Sequence, residues 1–204
     1  MRIAMFGGSF NPIHVGHLFL AEDVRLRLGY DKVFFIPVSI PAHKKLASGA
    51  SDKNRLQMTK LAVQGNPSFE VDDCEIRRGG VSYSYDTLIE LIQRMADDLE
   101  GKIGLVMGDD LVEGFSEWKN AKELSEKADL ILARRVAGYG IQPPVFNYPH
   151  IELSNSILPV ASSDIRQRIS AGIGKDCLGA WRYLVPEAVY QYIIQRNLYG
   201  FRTN

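Results

Sequence analysis

A chain of 204 residues with 24 Lys+Arg against 24 Asp+Glu has no formal net charge, and 46% of it is hydrophobic, 10% aromatic and 24% charged. That length suits one domain over residues 1–204 and leaves two domains undersized, while the composition excludes a disordered or fibrous chain. Zero net charge argues against a protein that relies on overall positive charge to hold nucleic acid or an anionic membrane, although a local basic pocket stays open.

From Met1 the chain reaches Gly7 and Gly8 too soon for the apolar stretch of a secretory leader, and no apolar run approaches the roughly 20 residues of a membrane span. A cytoplasmic protein is expected, with neither membrane nor nucleic acid as partner. Strand-like runs at Arg2 to Phe6, Val33 to Ile36, Phe69 to Asp72, Ile103 to Met107 and Leu130 to Ala133 alternate with helix-like stretches, as a parallel sheet with crossover helices requires. His17 to Leu28 carries Leu20, Ala21, Val24 and Leu28 in an apolar stripe that Gly29 ends; Arg55 to Val63, Thr87 to Leu99 and Pro186 to Arg196 show similar periodicity. The glycines and prolines of Val136 to Pro149 predict a loop that ends the alternation and leads to carboxy-terminal helices. Cys74 and Cys177 lie far apart with no CxxC spacing and are expected to be reduced.

The chemistry concentrates where the first strand runs through Gly7-Gly8-Ser9-Phe10-Asn11-Pro12 and His14-Val15-Gly16-His17 into a helix. Glycine lets backbone approach a ligand closely, and a helix amino terminus offers free N–H groups to an anion, so the turn reads as a phosphate site. Neither GxGxxG nor GxxxxGK[ST] is present, so it is not a dinucleotide fingerprint or P-loop. Two histidines three apart can both donate to phosphate oxygens, or serve as capping and core residues, or form a metal pair; a zinc site would lack an evident third ligand, and no metal ligand is named. Asp109 and Asp110 follow a predicted strand at its carboxyl end, where parallel sheets bind ligands. Lys44 and Lys45 can be a solvated loop, Arg166 a surface residue and Trp118 a core residue.

Taken together these segments resemble the HxGH nucleotidyltransferases. Pro41-Ala42-His43-Lys44, Ser82-Tyr83-Ser84-Tyr85-Asp86-Thr87-Leu88, Gly108-Asp109-Asp110 with Trp118, and Ala161-Ser162-Ser163-Asp164-Ile165-Arg166 are similar to the motifs of bacterial nicotinate-mononucleotide adenylyltransferases. The resemblance spans nearly the whole chain and departs from the family at Asn11, where aspartate is commoner, and at Ala161 and Ser163, which replace a serine and a threonine. It implies an α/β, Rossmann-like parallel sheet with helices on both faces and a small helical carboxy-terminal part. It further implies adenylyl transfer from ATP to nicotinate mononucleotide in NAD biosynthesis, with magnesium accompanying ATP. On this reading His14, His17, Lys44 and Arg166 are catalytic. Gly7, Gly8, Ser9, Phe10, Gly108, Asp110, Ser162 and Ser163 bind ATP, and Ser84, Tyr85 and Trp118 bind the acceptor. Pantetheine phosphate or another mononucleotide as acceptor, and a nucleotide-binding module without turnover, are the rivals; a homo-oligomer stays open.

Overall fold

β1 (Ile3–Gly8) is apolar along both faces, as a central strand of a parallel sheet must be. Ala4 and Phe6 enter one core cluster, and Ile3 and Met5 enter the other. In this computed structural model residues 1–42, 45–134, 145–171 and 180–201 are described. α1 (Val15–Leu28) follows, burying Ala21 and Val24, and Gly29 stops it in the left-handed conformation with φ 69°. Then come β2 (Lys32–Pro37), the two-residue β3 (Ile40–Pro41), α2 (Asp52–Val63), β4 (Phe69–Val71), α3 (Cys74–Arg78), the two-residue β5 (Val81–Ser82) and α4 (Ser84–Arg94). β6 (Ile103–Gly108) passes through short 3₁₀ turns to α5 (Ala121–Lys127), β7 (Ala128–Ala133) and β8 (His150–Leu153), and beyond these lie α6 (Ser162–Ser170) and α7 (Glu187–Gln195).

Among the described residues six strands pair in the order β4-β2-β1-β6-β7-β8, all parallel. The order grows outward from β1 in both directions, so the winding reverses between β1 and β6. In open parallel sheets that reversal is where a ligand crevice forms, at the carboxyl ends of the strands. β3 and β5 form a separate two-stranded ladder.

Side-chain alternation divides the core. Phe35, Val106 and Ile131 face the cluster closed by α1, α2, α6 and α7, through Met58, Ile165, Val189 and Ile193. Ile36, Leu105 and Leu130 face the one closed by α4 and α5, through Leu88, Leu91 and Leu124. Helices therefore cover both faces, as expected. The carboxy-terminal helices are part of the first layer: Tyr192 of α7 donates to Asn54 Oδ1 of α2 at 2.9 Å.

Two expectations need correction. Residues 145–149 are irregular, but the alternation does not end there, because β8 adds a sixth parallel strand beside β7. Only Leu153 of β8 is buried, so this edge strand lacks the continuous apolar run that marks a central one. The helix predicted over Thr87 to Leu99 begins at Ser84 and ends at Arg94, with Met95 to Asp98 in turns. Cys74 is buried and in no disulfide, its thiol pushed by burial, and then by Asp72, up to about 12, so it stays protonated; Cys177 lies outside the described residues. Among the described residues no helix is long and apolar enough to cross a membrane.

Gly104, the second residue of β6, has a packing reason to be glycine. A Cβ there would sit 2.6 Å from the buried Tyr30 hydroxyl and 2.8 Å from Ile131 Cδ1. Gly104→Ala is expected to lower stability by about 1–3 kcal/mol through overpacking, read from the midpoint of chemical unfolding. An unchanged midpoint would mean that Tyr30 and Ile131 yield without cost.

Candidate active site

The turn between β1 and α1 is shaped by close approach. A Cβ at Gly8 would lie 2.8 Å from the Phe10 ring, and Phe10 itself is buried in the left-handed region at φ 43°. The Phe10 ring meets those of Phe6 and His17 edge-on, at centroid distances of 5.8 and 5.1 Å. His14 is the residue before the first turn of α1, and its N–H donates to His17 Nδ1 at 3.2 Å. With Nδ1 accepting, the proton of neutral His17 sits on Nε2, the nitrogen able to donate to an anion. The two imidazoles stack at 3.7 Å between centroids and 29° between planes. Gly16 makes room for this, since a Cβ there would come 3.1 Å from His14 Nδ1.

Carbonyls of the turn are held by side chains from other elements. Arg55 of α2, fully buried, donates to Ser9 O at 2.7 Å and Val38 O at 2.5 Å and pairs with Asp52 Oδ1 at 2.8 Å. Arg166 Nη1 of α6 donates to Asn11 O at 2.6 Å, and Ser162 Oγ donates to Pro12 O at 2.8 Å. α6 is thereby fixed against the histidine turn. Asn155 reproduces a strand-like pairing beyond β7, accepting from Arg134 N–H at 2.9 Å and donating to Arg134 O at 3.0 Å.

These elements line a cavity of about 710 Å³ at the carboxyl ends of the neighbouring strands β1 and β6. Of the residues singled out from the sequence, Gly7, Gly8, Ser9, Phe10, His14, His17, Gly108, Asp110, Ser162, Ser163 and Arg166 all line it. No side chain caps the α6 amino terminus, where Ala161 stands, so that end can present its first N–H groups to an anion. Lys44 lies outside the described residues, while Lys45 and Ala47 line the cavity.

Ser84, Tyr85 and Trp118 do not line it; they belong to a second neighbourhood. Trp118 is half-buried with its ring 5.1 Å from that of Phe115, and Tyr85 donates to Glu123 Oε2 at 2.5 Å. Lys119 ties the Trp118 segment to the start of α4, bonding Asp86 at 2.8 Å and lying 5.1 Å from the centre of the Tyr83 ring. Beneath that start, Thr87 donates to buried Glu75 Oε1 at 2.6 Å, and burial pushes the Glu75 carboxyl above the usual carboxylate range.

Arg55, Asn155 and Asn11 were not assigned to the site from the sequence. A polar residue on an amphipathic helix or in a loop carries no local sign of burial; only the tertiary structure brings carbonyls to it.

The cytidylyltransferase-like family model matches residues 5–168. A protein of Borreliella afzelii named "Probable nicotinate-nucleotide adenylyltransferase" is 38% identical over 204 residues, covering all of both chains. A Treponema pallidum protein of the same name is 36% identical over 208 residues, covering 98% of this chain and 99% of its own. In three dimensions the chain is similar to Plasmodium falciparum nicotinic acid mononucleotide adenylyltransferase complexed with NaAD, with a TM-score of 0.74 at 17% identity over 98% of each chain. The fold is thus shared with a distant structure, and the sequence with much nearer relatives along their whole length. The chain belongs to the cytidylyltransferase-like family and, within it, to the nicotinate-nucleotide adenylyltransferases.

Proposed function

We infer that the protein transfers the adenylyl group of ATP to nicotinate mononucleotide, giving nicotinate adenine dinucleotide and pyrophosphate. One observation carries the reading at the level of geometry: stacked His14 and His17 share a cavity with the start of α6, which Ser162 and Arg166 hold against the histidine turn. In the reaction a phosphate oxygen of the mononucleotide attacks the α-phosphorus of ATP, and the bond from that phosphorus to the bridging oxygen breaks. Pyrophosphate leaves with the electron pair. Charge builds on the transferring and leaving oxygens, so fixed donors and alignment suffice and no protein nucleophile is required.

His17 and His14 would donate to ATP phosphate oxygens, and the α6 amino end would receive the pyrophosphate portion through Ser163 and backbone N–H groups. Ser162 already donates its hydroxyl hydrogen to Pro12 O, so its part is to fix α6. Lys44 is assigned to the phosphates by resemblance alone. Magnesium would arrive with ATP, held by phosphate oxygens and water, in the cavity that Asp110 lines. The start of α4 and the Trp118 ring are the surfaces proposed for the nicotinate carboxylate and ring.

Pyrophosphate release measured with ATP and a panel of acceptors tests the reading. Nicotinate mononucleotide is expected to be preferred, and preference for pantetheine phosphate, or no turnover with any acceptor, would reject it. His17→Ala is expected to lower kcat by roughly two to three orders of magnitude, the scale of losing one well-placed transition-state donor, with thermal unfolding little changed. Near-normal turnover in the folded variant would remove His17 from catalysis. Trp118→Ala is expected to weaken acceptor binding by about 1 kcal/mol or more and leave the KM for ATP nearly unaltered. A large loss of stability affecting both substrates alike would instead make Trp118 a core residue.

A further inference from the structure

Asn11 is buried, at 2% exposure, and its carboxamide joins two segments far apart in sequence. Nδ2 donates to Ala47 O at 2.8 Å, and Oδ1 accepts from the Tyr199 hydroxyl at 2.7 Å. The orientation of the amide is fixed by its partners, because a carbonyl oxygen can only accept; the amino group must face Ala47 and the oxygen must face Tyr199. The backbone oxygen of the same residue takes the Arg166 guanidinium. One residue thus joins the histidine turn, the Lys45–Ala47 wall of the cavity, α6 and the 3₁₀ turn at Leu198–Gly200.

Tyr199 is held with some force. It adopts a left-handed backbone at φ 58°, which a non-glycine residue takes only where its surroundings impose it. Its N–H donates to Gly49 O at 3.3 Å, and a Cβ on Gly49 would lie 2.6 Å from its ring. Burial raises its phenol, against the pull of Arg166 and Arg55, so the hydroxyl remains a proton donor throughout the pH range of an assay. Residue 199 lies outside the part of the chain that the family model matches.

We propose that Asn11 is a positioning residue for the ATP side of the cavity, locked by the Tyr199 hydroxyl, and that asparagine suits this chain because the amide accepts from Tyr199 and donates to Ala47 O at every pH, as an ionised aspartate does not. An ionised aspartate would turn an acceptor toward a carbonyl, leaving Ala47 without its donor, and a protonated one would have to give up its charge to replace it. Asn11 lines the cavity itself, and the part proposed for it is exerted through the Lys45–Ala47 wall and Arg166. The proposal rests on the adenylyl-transfer reading for its kinetic expression, but not for its structural one.

The test compares Asn11→Asp and the milder Tyr199→Phe with the unaltered protein. Both are expected to raise the KM for ATP about tenfold, the scale of one broken buried hydrogen bond, while the KM for nicotinate mononucleotide changes less than about twofold. In parallel, limited trypsin digestion is expected to cut after Lys45 faster in both variants, at temperatures where circular dichroism shows them folded. Equal changes in KM for both substrates would overturn the proposal, as would a folded Tyr199→Phe protein with wild-type ATP kinetics and wild-type cleavage. Should the unaltered protein fail to transfer adenylyl groups, the function assigned above falls, and the rate of cleavage after Lys45 still decides whether Tyr199 holds the wall.

Discussion

All six strands of the main sheet run in one direction, and the active-site geometry depends on that constraint. A parallel neighbour is reached only by a crossover, so every strand opens at the same edge into the turn that begins the return. Reversal of the winding between β1 and β6 then parts two of those turns and leaves a crevice. Gly7 and Gly8 reach it from one side and Gly108 and Asp110 from the other, though a hundred residues separate them along the chain. α1 and α6 both begin at that edge, and both direct amino termini toward the cavity. The place of the crevice follows from topology before any side chain is chosen.

What keeps the edge in one shape is a set of donors that reach carbonyls no ladder can satisfy. Ser9 O, Asn11 O and Pro12 O lie in a turn outside regular pairing, and each receives a side-chain donor from another element: Arg55, Arg166 and Ser162. A buried carbonyl without a partner costs about 1–3 kcal/mol, and a bond from a charged donor contributes at the upper end of the hydrogen-bond range. Arg55 is the extreme case, a fully buried guanidinium tolerated because carbonyls and Asp52 surround it. Its removal would strand several acceptors at once, so what it secures is the shape of the turn.

Much of this was legible in the sequence, and the parts that were not share a cause. β1, β2 and β6 are buried on both faces and read as unbroken apolar runs, whereas β8 buries one residue of four and α5 spans only seven. His14 and His17 stand out because they sit in a contiguous glycine, proline and imidazole turn that resembles a known motif, a signal carried by neighbours in sequence. Arg55, Asn155 and Tyr199 do not, since their chemistry consists of long-range contacts with backbone oxygens or with another side chain. Ser84 and Trp118 fall between: their neighbourhood is visible, tied together by Lys119 and Asp86, but their separation from the histidine cavity emerges only from the fold.

The bond between Asn11 and Tyr199 spans 188 positions. Contacts of that span form late, because a long loop must close before they repay its entropy. On the ribosome, the histidine turn and its sheet emerge long before residue 199, which must then fold back onto the turn between β1 and α1. A nascent chain therefore carries the histidines without the final clasp on the wall beside them. Until residue 199 has been made and folded back, Asn11 lacks the hydroxyl that its side-chain oxygen accepts from, and the wall beside the histidines is one hydrogen bond short of its finished form.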